Sequence, residues 1–142
     1  MEASVDLSGV EFIELHDAWV ERLVVQGDGR CVVDLTGVSV TFRVDGALEG
    51  WSCEVSLRFD DWRSVVVALE QTSTQPLWAL DGSTSTEHGR LDNEVARAPL
   101  RGLSLEFANG CALAIAAEDG CVQRLVKTAR LRLPPGRAGG EL

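Results

Sequence analysis

The chain has no tyrosine and, among its 142 residues, only one methionine and two histidines. It also has a single lysine, Lys127, and no glycine-rich loop ends in Gly-Lys. A phosphate loop of the G-x-x-x-x-G-K-[ST] kind is therefore excluded, because it needs that lysine to reach the phosphates. The G-x-S-x-G turn of hydrolases that use a Ser-His-Asp triad is missing too.

The spacing of the cysteines matches no metal site. The four cysteines are far apart, none in a C-x-x-C pair, and the two histidines cannot complete a zinc ligand set. In a reducing compartment such cysteines remain thiols. We therefore predict free thiols buried as small apolar side chains, and no bound metal or cofactor. The cysteines are Cys31, Cys53, Cys111 and Cys121.

Long apolar runs are also missing. No stretch approaches the roughly 18 apolar residues of a membrane-spanning helix. The opening "MEASVDLSGVEF" carries acidic residues and no basic residue, which argues against a secretory signal. We expect a cytoplasmic protein.

Charge is the most informative feature of the composition. The chain has 22 acidic and 13 basic residues and a net charge of −9, but only one of the acidic residues lies in 121–142. Five basic residues lie in that segment. The acidic body disfavours nucleic acid and anionic membranes as partners, and it would attract a basic protein. Solubility alone is the simpler explanation of the acidity.

Adjacent carboxylates do not indicate catalysis. Asp60-Asp61 and Glu118-Asp119 are neighbours in the sequence. In an extended chain, neighbouring side chains point to opposite faces, so neither pair forms a dyad that shares a proton. Aspartate at strand ends is typical of turns. We predict a protein that is not an enzyme.

Period-two alternation indicates the fold class. In "VSVTFRV" (38–44), "CEVSLRF" (53–59) and "LSLEF" (103–107), every second residue is apolar. This pattern is typical of antiparallel strands with one buried and one solvated face. We predict an all-β fold with little helix, either an antiparallel sandwich or a partly open barrel built from meander hairpins.

Turn signals separate the strands. Asp28-Gly29 and Asp119-Gly120 each predict a two-residue hairpin loop, and "VDGALEG" (44–50) and "FANGC" (107–111) are further turn sites.

We predict a strand over 18–26, while 61–71 is ambiguous between strand and helix. Residues 71–99 form a long polar connection of the kind that is functional or mobile. The expected organisation is a flexible 1–9, a single β-domain over 10–133 and a disordered tail over 134–142.

Tryptophan beside carboxylates suggests a binding surface. Such side chains anchor protein interfaces or stack on sugars, and they also cap the ends of sheet cores. We predict a partner-binding set near 49–62 and 78–94. Its members are Glu49, Trp51, Asp60, Asp61, Trp62, Trp78, Asp81, Glu87 and Asp92.

The stretch "LHDAWVERLVV" (15–25) contains a His-Asp pair that could bind metal or take part in catalysis. No further ligand, base or nucleophile accompanies it. We therefore interpret His16 and Asp17 as the polar lead-in to a strand on which Trp19 packs, with part of a binding surface as the alternative.

The same stretch resembles the start of small uncharacterised bacterial β-rich domains, which begin with Leu/Phe-His-Asp-Ala/Ser. The resemblance continues in "DNEVARAPLRGLSLEFANGCALAIAAEDG" and covers residues 10–126, although the polar loop over 71–90 departs from it. Some of these domains are similar to immunity proteins of bacterial toxin systems. The resemblance implies an all-β fold and, less specifically, inhibition of a toxin.

Together these features predict a non-enzymatic protein-binding domain, with an immunity-like inhibitor of a bacterial toxin as its biological form. A module that binds a small ligand or a carbohydrate through exposed tryptophans is the alternative. A homodimer would form by strand-edge pairing or tryptophan burial.

Overall fold

The computed structural model describes residues 5–68, 79–107 and 110–132, and these residues contain strands and no helix. The all-β prediction is therefore confirmed. The strands are β1 (Val10–Glu14), β2 (Trp19–Val25), β3 (Cys31–Val44), β4 (Ala47–Ala68), β5 (Ala79–Thr86), β6 (Gly89–Asp92), β7 (Gly102–Phe107) and β8 (Ala112–Leu131).

All eight strands belong to one antiparallel sheet that curls into a half-barrel. Its order is β1-β3-β4-β8-β7-β5-β6, and β2 pairs with the first half of β3 while β1 pairs with the second half. The two longest strands, β4 and β8, pair with each other from Gly50 to Ala68. Because they run through the middle of the sheet, their curvature sets the shape of the half-barrel.

That curvature has identifiable causes. Three register shifts interrupt the pairing of β4 with β8, and such bulges bend a strand and increase its twist. Gly120 lies opposite Phe59, and a Cβ at Gly120 would come within 2.6 Å of the buried Phe59 ring. Only glycine leaves room for that ring. The predicted Asp119-Gly120 hairpin is therefore wrong: the glycine serves close packing in the middle of β8, not a turn.

The core lies on the inner face of the curled sheet, as the alternation predicts. On β4, the side chains of Cys53, Val55, Leu57 and Phe59 are all at most 1% exposed. On β3, the buried positions change from odd to even after Leu35, because a bulge around Gly37 shifts the register before Val38.

The Asp28-Gly29 hairpin exists, but its predicted register is wrong. Val25 pairs with Cys31, and the Gln26 N–H donates to the Arg30 carbonyl, so the loop has three residues. Gly29 takes a φ of +103°, a conformation that glycine adopts without steric cost. The turn site predicted in 44–50 exists: Asp45 and Gly46 form a two-residue loop with both φ angles positive.

Residues 71–99 are not a continuous connection. The β5–β6 hairpin occupies 79–92, and β5 also pairs with β7. The polar composition of "GSTST" did not indicate a strand. Ser83 and Thr84 are nevertheless buried, and the Thr84 hydroxyl is satisfied there by hydrogen bonds with the backbone of Glu94 and Ala96.

The ends of the predicted domain are only partly described. The Val5 N–H donates to the Val122 carbonyl, and Leu7 packs against the core, so contacts with the domain extend to residue 5. Residues 1–4 and the predicted tail over 134–142 lie outside the described residues.

Candidate functional site

The residues predicted to bind a partner lie on separate parts of the sheet. Glu49 and Trp51 lie near the start of β4, and Asp60, Asp61 and Trp62 lie eleven residues further along the same strand. Asp81, Glu87 and Asp92 belong to the β5–β6 hairpin, and Trp78 lies outside the described residues.

Trp51 lies in a basic rather than an acidic environment. The Lys127 ammonium lies 4.5 Å from the ring centre of Phe42 and 4.8 Å from that of Trp51. The Trp51 indole N–H donates to Glu49, whose carboxylate also lies 3.9 Å from the Arg130 guanidinium. The Glu49 charge is therefore balanced within the protein, and Trp51 is held by cation–π and hydrogen-bond contacts.

Trp62 holds a turn in place. Its indole N–H donates to the Gln26 carbonyl at 3.0 Å, and its backbone N–H donates to the Gly29 carbonyl at 3.1 Å. Asp61, with a φ of +52°, lies against Gly29. These contacts fix the β2–β3 turn to β4, so this tryptophan has a clear structural role.

The acidic residues of the β5–β6 hairpin are more exposed. Asp81 and Glu87 are exposed, and Asp92 pairs with Arg90 at 2.8 Å with both side chains more than two-thirds exposed. A pair as exposed as this one contributes little to stability. Among these residues, Asp92 is the one that borders a cleft.

That cleft lies where the two edges of the curled sheet meet. The Leu15 N–H donates to the Asn93 carbonyl, and the Val95 N–H donates to the Ile13 carbonyl. These bonds connect β1 to the segment after β6. We call the adjoining hollow, about 390 Å³ in volume, the seam cleft. It is lined by Phe12, Glu14, Thr41, Leu48, Asp92, Asn93 and Glu94.

Glu14 and Glu94 lie directly opposite each other at this seam. They are antiparallel bridge partners, and the backbone hydrogen bonds are made by the residues on either side of each glutamate. In such a pair the side chains are closest, with Cβ atoms roughly 4.5–5.5 Å apart. Their neighbours Ile13, Leu15 and Val95 point into the core, so both half-buried glutamates lie on the outer face.

The position of Glu94 is fixed by two polar side chains. Asn93, with a φ of +57°, exchanges hydrogen bonds with the backbone of Gly82. The buried Thr84 hydroxyl donates to the Glu94 carbonyl at 2.9 Å and accepts from the Ala96 N–H at 3.1 Å. The segment that carries Glu94 is therefore held rigidly against β5.

The cleft combines negative charge with apolar contact area. Its lining carries three carboxylates and no basic side chain. Within the described part of the chain, neither Glu14 nor Glu94 has a basic partner within ion-pair distance. Phe12 is 46% exposed at the same surface, beside Leu48. The arrangement suits a cation with an apolar stem, such as arginine or lysine.

Sequence reasoning missed Phe12, Glu14 and Glu94. The available signal was the alternation in "VEFIEL", where Glu follows Phe by two residues and so shares its face. No local pattern brings Glu94 opposite Glu14, because eighty residues separate them and their pairing depends on closure of the sheet.

His16 and Asp17 form an exposed turn. Their side chains lie 3.6 Å apart and are more than half exposed, and Asp17 has a φ of +68°. The Ala18 N–H donates to the Leu15 carbonyl, which closes the turn before β2. Over the ranges that the structure describes, no group of three or more His, Cys, Asp or Glu side chains could hold a metal ion.

The cysteines are free thiols, as predicted, with Cys31, Cys53 and Cys111 buried and Cys121 half-buried. Burial raises the pKa of Cys53 to about 11, although the nearby Lys127 charge lowers it. Burial also raises the pKa of Cys31. Raised pKa values disfavour the thiolate, so these two cysteines are poor nucleophiles.

Comparisons of the chain with known proteins found no match. No protein-family model, no curated protein and no solved structure matches the chain. Within the described residues, no helix is long and apolar enough to cross a membrane.

Proposed function

We propose that the chain is a non-enzymatic protein-binding domain whose seam cleft receives a basic segment of its partner. The observation that carries this proposal is the Glu14–Glu94 pair. Two carboxylates face each other across a strand pair without a basic partner among the described residues.

The pair has an energetic cost that a basic partner would remove. Like charges directly opposite on a sheet are destabilising, whereas opposite charges stabilise by roughly 0.2–1 kcal/mol. An arginine or lysine placed between Glu14 and Glu94 adds two attractions, each over a shorter distance than the repulsion that they offset. The methylene stem of that side chain would lie on Phe12 and Leu48, which removes apolar area from water.

The whole molecule favours the same kind of partner. Its net charge of −9 attracts a basic protein and speeds the encounter, most strongly at low ionic strength. Asp92, one of the residues predicted from sequence, lies at the border of the cleft, where Arg90 pairs with it.

Inhibition of a basic bacterial toxin is the biological form that we propose, on the basis of the resemblance to immunity-like domains. The geometry favours protein binding over a carbohydrate module. Lys127 and Arg130 lie over the Trp51 ring, where a sugar would stack, and Trp62 is half-buried with its indole N–H bonded to the Gln26 carbonyl.

The test is co-purification from source cells followed by affinity measurements on the purified partner. We expect the double variant Glu14→Gln/Glu94→Gln to weaken binding about tenfold, which corresponds to about 1.4 kcal/mol. The wild-type affinity should fall as sodium chloride rises from 50 to 300 mM, because salt screens exposed charges.

The matched control is the double variant Glu21→Gln/Glu106→Gln, which removes the same charge from exposed positions outside the seam cleft and outside the predicted partner-binding set. It should bind within about twofold of wild type, since its effect is limited to the long-range field. Equal losses of affinity in the two double variants would show that the cleft glutamates act only through the long-range field. A partner that binds both double variants like wild type would overturn the proposal.

A further inference from the structure

A second concave surface lies on the outer face of β2, β3, β4 and β8. This hollow has a volume of about 730 Å³. We call it the arginine groove. It is lined by Arg22, Val24, Gln26, Arg30, Val32, Asp34, Ser56, Gln123 and Arg124.

The strand register explains why these residues meet. Arg22 pairs with Asp34, Asp34 with Ser56, and Ser56 with Arg124, so one row of outward side chains crosses all four strands. Neighbouring strands are about 4.8 Å apart, which places the two arginines of the row roughly 14 Å apart at Cα. Arginine side chains are long enough to reach over the floor between them.

A second row forms the apolar part of the floor. Val24 pairs with Val32 directly beside the charged row, and Arg30 lies beyond them at the end of the β2–β3 turn. The three arginines therefore surround a floor made of two half-buried valines and the buried Ser56.

The charge of the groove is opposite to that of the molecule. Its lining contains three arginines and one acidic residue, although the chain carries a net charge of −9. Arg22 and Arg30 have no carboxylate within 4.0 Å among the described residues, and Arg124 has only an exposed contact with Glu54 at 3.4 Å. Arg22 and Arg30 therefore present two positive charges without an ion pair on one concave surface of an acidic protein.

The single carboxylate of the groove has a partner already. The Ser56 hydroxyl donates a hydrogen bond to Asp34, which holds that carboxylate against the floor. Asp34 would repel an anion at the centre of the groove, but it can accept a hydrogen bond from a neutral group. The amide groups of Gln26 and Gln123 provide further donors and acceptors at the rim.

We propose that the arginine groove binds a small organic anion that bears phosphate or carboxylate groups. The guanidinium groups of Arg22, Arg30 and Arg124 would contact the anionic groups, because their planar donors match the oxygens of either group in pairs. The uncharged part of the ligand lies over Val24 and Val32. The volume is within the range of small-molecule sites and exceeds that of a single inorganic ion. The acidic body opposes long polyanions, which favours a small ligand over nucleic acid.

This site is independent of the proposed function. It uses strands β2, β3, β4 and β8, whereas the seam cleft is lined from β1, the β3–β4 hairpin and residues 92–94. An anion and a basic protein segment can therefore be tested on the same sample, and either one can fail alone.

The experiment is an NMR titration of the full chain with pyrophosphate and, separately, with citrate. Sodium chloride at matched ionic strength is the reference. We expect saturable shifts of the Val24 and Val32 amides and of the arginine Nε–H signals with at least one of the two probes. Saturation by pyrophosphate alone identifies phosphate as the ligand chemistry, and saturation by citrate alone identifies carboxylate.

Four single variants test the geometry. Arg22→Gln and Arg124→Gln should each weaken binding about fivefold or more, because each removes a charged donor pair. Arg101→Gln removes an exposed arginine outside the groove and should bind like wild type. Asp34→Asn should bind about two- to fivefold more tightly, because it removes the repulsive charge and keeps an acceptor for Ser56.

The gain expected for Asp34→Asn separates binding from a structural role, since damage to the fold cannot increase affinity. Shifts that do not saturate, or that sodium chloride reproduces, would overturn the proposal. So would equal affinities of wild type, Arg22→Gln and Arg124→Gln for the probe.

Discussion

The seam cleft and the arginine groove show how one acidic chain presents two surfaces of opposite charge. The cleft lies at the junction between the two edges of the sheet, and three carboxylates line it. The groove lies across four hydrogen-bonded strands in the continuous part of the sheet, and three arginines line it. Net charge therefore describes the long-range field, whereas strand register determines which charges meet.

The two surfaces also differ in what supports them. The cleft depends on a few backbone bonds and on two polar side chains that hold residues 93–96. The groove depends on the backbone pairing of β2, β3, β4 and β8, which continues on both sides of the bulges beside Arg22 and Ser56. We expect the cleft to be the more easily disrupted of the two, and the following changes test this difference.

The largest loss of stability is expected from a single change that disrupts both surfaces. Gly120→Ala places a Cβ against the Phe59 ring and the Arg58 carbonyl, which we expect to destabilise the fold by about 3 kcal/mol. Urea unfolding measures this loss. Gly27→Ala is the control, because nothing lies within 4 Å of its added Cβ. A similar loss in both variants would show that close packing at Gly120 is not the cause.

A change at Thr84 should disrupt the cleft alone. Thr84→Val keeps the shape of the side chain but leaves the Glu94 carbonyl and the Ala96 N–H without their hydroxyl partner, at a cost of about 2 kcal/mol. Hydrogen exchange at the Ala96 amide should accelerate, while binding of the anionic probe stays unchanged.

Thr128→Val is the matched control for Thr84. Its hydroxyl also donates to a backbone carbonyl, that of Ser52, but at an exposed site where water replaces the bond. Its destabilisation should be well below that of Thr84→Val. If weaker probe binding accompanied Thr84→Val, the two surfaces would not be independent.

A smaller loss of stability is expected when Cys53, in the core that both surfaces share, loses its proton. The pKa of Cys53 is raised from an ordinary value of 9.0 to about 11, so its stabilising effect is complete below pH 9 and is lost as the pH rises through 11. We expect a loss on the order of 1 kcal/mol over that range. The chain lacks tyrosine, so no phenol titrates there.

Unfolding of wild type and of Cys53→Ala, followed from pH 8 to pH 11, measures the Cys53 effect. The variant is less stable at pH 8, because it leaves a small cavity, but its stability should decline less with pH. Parallel curves for the two proteins would contradict the assignment to Cys53.

The smallest change in stability is expected when one charge is removed from either surface. Glu94→Gln should stabilise the free protein by about 0.5 kcal/mol, because it removes the repulsion from Glu14. Arg22→Gln should give no such gain, since Arg22 lies opposite Asp34. Thermal unfolding at low salt measures both variants, and the gain at Glu94 should shrink in 0.5 M sodium chloride. A loss of stability in Glu94→Gln would mean that the glutamates do not repel each other.

Much of the fold was predictable because it follows from local patterns. The alternation over 53–59 identified a strand and its buried face, and Asp45-Gly46 identified a hairpin. Two failures show the limit of such patterns. Asp119-Gly120 has the composition of a turn but lies inside β8, and "GSTST" lacks apolar residues but belongs to β5. In both cases a contact distant in sequence, with Phe59 or with the 93–96 segment, decided the outcome.

The sites were less predictable than the fold. The predicted tryptophans at 51 and 62 make internal contacts, because a cation from β8 reaches Trp51 and a carbonyl from the β2–β3 turn reaches Trp62. Of the predicted carboxylates, Asp92 borders the seam cleft. The arginines of the groove gave no signal, since each is a single charge in an ordinary strand pattern.

Composition and periodicity were enough to establish an acidic all-β chain with buried thiols, because burial of alternate side chains is a local property of an extended strand. The positions of charges relative to one another depended on the folded sheet. Glu14 meets Glu94, and Arg22 shares a row with Arg124, only after bulges and the close packing of Phe59 on Gly120 have set the register and the curvature. Electrostatic energy depends on distance in space, and in a curled sheet that distance bears little relation to separation along the chain.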